Sequence, residues 1–207
     1  QNITLLANFE FIKEFFAEYE RYYLLKTPPG RFIATPHNET AHVKGVGENP
    51  KVTITEFSSF SCESCRDMSL ALSAVLERYP IDVTLRFIHF NRGGHDNDLI
   101  QAAECSAEQW KFWQMHDTLF ARQKDFTNKY GDFNFGLMAE IAEEIGLDTD
   151  KFSECMADKG RFAAKLQNMQ KIAADFGIKA APSIFINNGF VEGFITKDKL
   201  SEKIENV

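Results

Sequence analysis

A Cys-x-x-Cys pair, placed where a strand pattern gives way to a helix pattern, constrains this chain more than any other feature. The β-branched run Val52-Thr53-Ile54-Thr55 leads into Phe57-Ser58-Ser59-Phe60-Ser61-Cys62-Glu63-Ser64-Cys65-Arg66, and an amphipathic helical pattern, Met68 to Tyr79, leads out. The first cysteine therefore falls near a helix N-terminus, where free N–H groups and the positive end of the dipole stabilise an anion. A thiolate is the form that attacks disulfides. The pattern assigns Cys62 as nucleophile and Cys65, one turn on, as resolving thiol. The competing reading is half of a zinc site, which needs a second close pair of ligands. The other cysteines, Cys105 and Cys155, are isolated, and His37, His42, His89, His95 and His116 show no paired spacing. No metal ligand is assigned.

Three further motifs match a known family in order. The strand Val52-Thr53-Ile54-Thr55-Glu56-Phe57 running into the Cys-x-x-Cys resembles the DsbA-like branch of the thioredoxin fold. So does Gly177-Ile178-Lys179-Ala180-Ala181-Pro182-Ser183-Ile184-Phe185-Ile186-Asn187, where Pro182 fits the family's cis-proline before a strand. Between them, Ala102-Ala103-Glu104-Cys105 and Lys111-Phe112-Trp113-Gln114-Met115-His116-Asp117 resemble the helical insertion of secreted bacterial members. The resemblance covers roughly Gly47 to Val207. It implies an α/β thioredoxin fold with an inserted helical domain and an N-terminal helical extension. Residues 1–46 would form the extension and an irregular segment, 47–96 and 177–207 the two parts of the core, and 97–176 the insertion.

The resemblance also implies a chemistry: thiol–disulfide exchange on protein substrates, forming or isomerising their disulfides, with Cys62 and Cys65 as the redox pair. The disulfide would itself be the redox group, needing no metal or organic cofactor, and a redox-partner protein would regenerate it. Ala181 and Pro182, with Glu63 and Ser64 between the cysteines, would form the substrate-binding edge. Glu56 continues the Val52–Ile54 face of its strand six residues before Cys62. The family places a buried acid there, which would accept a proton from Cys65; a partly exposed strand-end glutamate is the plain alternative. Cysteines matching Cys105 and Cys155 form a structural disulfide in relatives; two buried free thiols are the alternative. Pro182 could equally be an ordinary trans loop proline. Two departures bear on redox direction: Glu63 stands where an uncharged residue is common, and Ala181 where Val or Thr is. A negative charge beside Cys62 disfavours its thiolate, which tilts the expectation away from a strong oxidase. A scaffold with a permanently oxidised pair, or a reductase kept reduced by a membrane partner, are the rival functions.

Along the rest of the chain, Leu5, Phe9, Ile12, Phe16, Tyr19 and Tyr23 form a heptad-like seam over residues 3–26, ended by Pro28-Pro29-Gly30. It is expected to pack on the protein's own body, with an oligomerisation arm as the alternative. Short strands are expected at 31–34 and 41–44, with His37 and His42 in solvent. Lys51–Ser58 and Asp82–Phe90 read as strands, the latter holding a hydrogen-bonded core or edge histidine, His89, with catalysis as the alternative. His95 stands where the family often has a histidine, which implies a structural role or a part in shaping the site. Helices are expected near 97–107, 108–122, 133–146, 148–157 and 160–176, with Asn97 and Asp148 as caps and Gly146 and Gly177 as stops. Trp110, Phe112, Trp113 and Phe120 are assigned mostly to the core. Ser61 is a candidate cap for the active-site helix, Asn188-Gly189 reads as a hairpin turn, and Thr196 caps a last helix. The net charge of −7 excludes broad nucleic-acid binding, and no apolar run reaches the ~20 residues of a membrane span. The even cysteine count suits an oxidising compartment, periplasmic or otherwise outside the cytoplasm. The first residue is Gln1, consistent with a removed signal peptide or a membrane anchor upstream.

Overall fold

In a computed structural model of the protein, residues 41–46, 50–127, 130 and 132–207 are described. The chain divides into two units, residues 1–34 and 35–207. The seam over 3–26, its oligomerisation role, the strand at 31–34 and His37 lie outside the described residues.

Strands β1 (His42–Gly45), β2 (Val52–Ser58), β3 (Val83–His89), β4 (Ser183–Ile186) and β5 (Gly189–Glu192) form one sheet in the order β1-β3-β2-β4-β5. Only β2 and β3 are parallel. A parallel pair needs a crossover, and α1 (Glu63–Arg78) supplies it. Val52 and Ile54 lie opposite Val83 and Leu85, with Ile54 also opposite Ile186. This face packs with Met68, Leu72 and Val75 of α1 and with Leu200 and Ile204 of α7 (Lys197–Glu205). On the other face Phe185 meets Phe57 and Phe176 edge-on.

The insertion comprises α2 (Asp96–Ala107), α3 (Phe112–Ala121), a 3₁₀ turn (Gln123–Phe126), α4 (Gly136–Glu144), α5 (Thr149–Ala157) and α6 (Ala163–Asp175). Phe60 and Phe87 of the core share one buried cluster with Ile100, Met115, Leu119 and Ile141 of the insertion. A disulfide joins Cys105 of α2 to Cys155 of α5 across a Cα separation of 5.8 Å.

Several local expectations shift. The helix expected from 108 begins only at Phe112, because Trp110 adopts φ 62°, a left-handed conformation that cannot continue a right-handed helix. Trp110 is 94% exposed and contributes nothing to the core. The two-residue hairpin loop is Asn187–Asn188, since Ile186 pairs with Gly189; Asn187 takes the positive φ. Asp148 and Thr196 cap α5 and α7 as expected, whereas α2 starts at Asp96 and Asn97 is not its cap.

His42 is the largest correction. Pairing of β1 with β3 sets it opposite Phe87, under the insertion rather than in solvent. Its ring stacks on Phe112 at 3.4 Å, and its Nε2 lies 2.9 Å from Glu104 Oε1. His89, a hydrogen-bonded core histidine as expected, reaches the same oxygen at 3.1 Å. Lys165 Nζ donates to Glu104 Oε2 at 2.6 Å. The donor atoms of His42, His89 and Glu104 lie within 4.8 Å of one another, a spacing a metal ion could use; here the Lys165 ammonium is the cation that neutralises Glu104. Burial pushes His42 down to about 4. Burial opposes the charge of Glu104, but hydrogen bonds from both imidazoles outweigh it and hold the carboxyl well below its ordinary value. Among the described residues, no helix is long and apolar enough to cross a membrane.

Two stability predictions follow from this packing. His42 titrates below its unfolded value, so its contribution is complete above about pH 6.5 and is lost as pH falls through about 4, whereas Glu104, held lower still, begins to lose its contribution only below about pH 4.5. Urea midpoints measured between those values should fall, with His42 contributing up to about 3 kcal/mol, and His42→Phe should flatten the slope. Replacing Cys105 and Cys155 together by Ala opens a loop whose ends are 50 residues apart. Loss of about 4 kcal/mol of unfolding free energy is expected on the chain-entropy account.

Candidate active site

The site forms where β2 ends and α1 begins. Cys62 is the N-cap of α1, with extended backbone (φ −103°, ψ 119°). Ser61, the expected cap, is exposed and does not serve. Cys65 N donates to Cys62 Sγ at 3.3 Å as well as to Cys62 O at 3.1 Å, so an N–H of the helix start meets an atom that can carry charge. The Ser64 hydroxyl lies 3.2 Å from the same sulfur. Both cysteines are buried thiols, Cys62 4% exposed and Cys65 0%. The Cys65 thiol is the main influence that lowers Cys62 to about 6; burial opposes it, and Ser64, the Cys65 backbone and the Arg92 charge assist. The same contact, with burial, pushes Cys65 strongly upward. The two thiols are thereby separated into an attacking sulfur and one that keeps its proton.

Glu56 is 0% exposed. The register places it between Phe87 of β3 and Ile184 of β4, on the face that α1 covers. Neither carboxylate oxygen, nor the Ser58 hydroxyl two residues on, has a hydrogen-bond partner of normal geometry. Burial therefore pushes Glu56 up to about 8; a weak Ser58 contact offsets this only in part, and the Cys62 charge adds to it. A carboxyl in that range exchanges its proton near neutral pH.

The chain returns to the site at its far end. The Ala181–Pro182 peptide is cis, and Cys62 Sγ donates to Ala181 O at 3.4 Å. A groove of about 550 Å³ is lined by Cys62, Glu63, Ser64, Asp67, Arg92 and the Lys179–Ala181 segment. Glu63 opens α1 with its side chain 73% exposed and 3.6 Å from Arg66. Its expected effect on Cys62 does not prevail: the hydrogen bonds to the sulfur decide the direction. His95 stacks on Phe133 at 4.1 Å, joining the insertion to the edge of the site. Asp96 and Gln123, which the sequence patterns did not single out, both reach the turn before Cys62.

The mixed sheet with its βαβ unit and the helical insertion agree with the comparisons. A sequence profile described as "Thioredoxin" matches residues 37–206. The chain belongs to this thioredoxin family. It is 26% identical over 164 residues to "Disulfide bond formation protein D" of Bacillus subtilis, covering 76% of this chain and 73% of that protein. It is 32% identical over 155 residues to "Na(+)/H(+) antiporter NhaA 3" of Salinispora tropica, covering 70% of this chain but 21% of that longer protein. Among solved structures, oxidised BdbD from Bacillus subtilis superposes with a TM-score of 0.69 at 23% identity, covering 83% of this chain and 94% of that one. This last likeness shows the fold.

Glu56→Gln tests the buried acid. The raised value means that the neutral carboxyl suits the fold and that stability is lost as pH rises from about 4.5 through about 8. Urea unfolding at pH 5 and pH 9 should show the Gln variant gaining on the parent at the higher pH, by as much as about 5 kcal/mol. Release of a mixed disulfide by Cys65 should slow by about 100-fold or more, read by rapid acid quench.

Proposed function

We propose that this protein oxidises thiol pairs in other proteins through the Cys62–Cys65 disulfide. The observation that carries the reading is the position of Cys62 Sγ: at the head of α1, acceptor for Cys65 N, and facing Ala181 across a groove open to an extended chain. A substrate thiolate attacks Cys62 Sγ of the oxidised pair, the Cys62–Cys65 bond breaks, and Cys65 leaves as a thiolate that takes a proton from Glu56. A second substrate thiolate then attacks the substrate sulfur of the mixed disulfide. The substrate leaves with its own disulfide, Cys62 leaves as the stabilised thiolate, and the protein holds both electrons. Stabilising the Cys62 thiolate stabilises the reduced form, and this makes the disulfide a better oxidant.

The substrate segment lies along Lys179–Ala181, with Glu63 and Ser64 at its other edge. Ser64 has a second duty, its contact with the Cys62 sulfur. The redox group is the disulfide, without metal or organic cofactor. A partner protein reoxidises the pair. The buried Cys105–Cys155 bridge supports a location outside the cytoplasm, periplasmic in a cell with two membranes.

Equilibration with a glutathione series, followed by mass, is the direct test. The pair should come to equilibrium between thioredoxin (about −270 mV) and the strong oxidant end (about −120 mV). Cys65→Ala should accumulate a mixed disulfide on Cys62, and Cys62→Ala should form none. A pair that stays oxidised or reduced throughout the series would sink the reading.

A further inference from the structure

Two side chains of the insertion, Asp96 and Gln123, fasten the turn that carries Cys62. Asp96 is fully buried at the start of α2. Its Oδ1 accepts from Ser61 N at 3.2 Å. Its Oδ2 accepts from the Ser59 hydroxyl and from Arg92 N, each at 3.0 Å. Because Ser59 gives its proton to the carboxylate, the Ser61 hydroxyl, 3.0 Å away, donates to Ser59 Oγ. Gln123 comes from the 3₁₀ turn after α3. Its Nε2 donates to Phe60 O at 2.7 Å and to Cys62 O at 2.9 Å. Cys62 N donates to Ser59 O at 3.2 Å, closing the turn on itself.

The pattern is complementary. Asp96 offers only acceptors and meets N–H and O–H groups; Gln123 offers its amide donors and meets carbonyls. Cys62 O is the first carbonyl of α1, accepting from Cys65 N at 3.1 Å and Arg66 N at 3.2 Å. Holding that carbonyl fixes ψ of Cys62, and ψ of the cap sets whether its side chain meets the N–H three residues on. We infer that Asp96 and Gln123 act as a clamp, through which the helical insertion positions the Cys62 sulfur against the head of α1 and so sets the reactivity of the redox pair. Both are positioning residues: neither touches the sulfur. The inference rests on the exchange reading above and adds to it a task for the insertion, which otherwise contributes burial.

The alternative for Asp96 is a purely electrostatic one, and the two predict opposite signs. Removing a nearby negative charge makes a thiolate easier to form. Loosening the turn lengthens the contacts from Cys65 N and Ser64 to Cys62 Sγ and makes it harder. In the full chain, Asp96→Asn, Gln123→Ala and the parent are compared by three readings: thiolate absorbance at 240 nm against pH, the equilibrium constant with glutathione, and the thermal unfolding midpoint. For both variants we expect the thiolate titration to move upward by roughly half a pH unit or more. The glutathione equilibrium should shift about three- to tenfold toward the disulfide form, tenfold being about 30 mV. Gln123→Ala, with its backbone and helix unaltered, is the variant expected to keep the parent's unfolding midpoint most closely. Variants that titrate and equilibrate like the parent, whatever their midpoint, overturn the clamp. A downward shift for Asp96→Asn alone overturns its positioning role in favour of plain charge. A parent that does not exchange at all would instead remove the proposed function itself.

Discussion

One peptide N–H at the head of α1, shared between a carbonyl and a sulfur, carries the site. Every α-helix begins with donors that have no partner within the helix, and most chains spend a serine or aspartate there. This chain spends a cysteine: Cys65 N meets Cys62 Sγ. The cost of that choice is a weaker cap than an oxygen would provide. The return is a sulfur whose charged form is the better hydrogen-bond acceptor, so the requirement of the helix and the requirement of the chemistry coincide. The sheet, the cis-proline loop and the insertion all converge on keeping that contact in place.

Two buried acids flank the same turn and illustrate how environment assigns roles. Glu56 faces Phe87 and Ile184 and finds no hydrogen bond, so it holds its proton to about 8. Asp96 accepts three hydrogen bonds with its two oxygens, so its oxygens serve as fixed acceptors. One can pass a proton and the other anchors a loop, although both are fully buried. The difference lies in what the opposing elements present to them.

How much of this was legible in the sequence follows the range of the interactions. The strand–Cys-x-x-Cys–helix succession is local, and the placement of Cys62 and Cys65 could be read from it. The inward direction of Glu56 follows from strand alternation, and the caps Asp148 and Thr196 from residue type next to a helical pattern. His42 was misplaced because its neighbours come from four other elements: His89 from β3, Glu104 from α2, Phe112 from α3 and Lys165 from α6. No spacing along the chain encodes that convergence. Gln123 was missed for the same reason: a lone glutamine after a helix gives no signal until the chain folds back over Phe60. The cap expected at Ser61 falls on Cys62, because cap preference favours serine while the register of the helix start, one residue later, selects the sulfur.

The insertion holds a second sulfur pair, buried like the first but set in different surroundings. Cys105 and Cys155 sit inside the apolar cluster between α2 and α5, while Cys62 lines an open groove. A protein that trades disulfides for a living is surrounded by thiolates, its own included, and any of them can scramble a reachable bond. Attack requires a thiolate to approach in line with the sulfur–sulfur axis, and both sulfurs of this bridge belong to residues buried within that cluster. The structural bridge is thus insulated from the reaction its own chain performs.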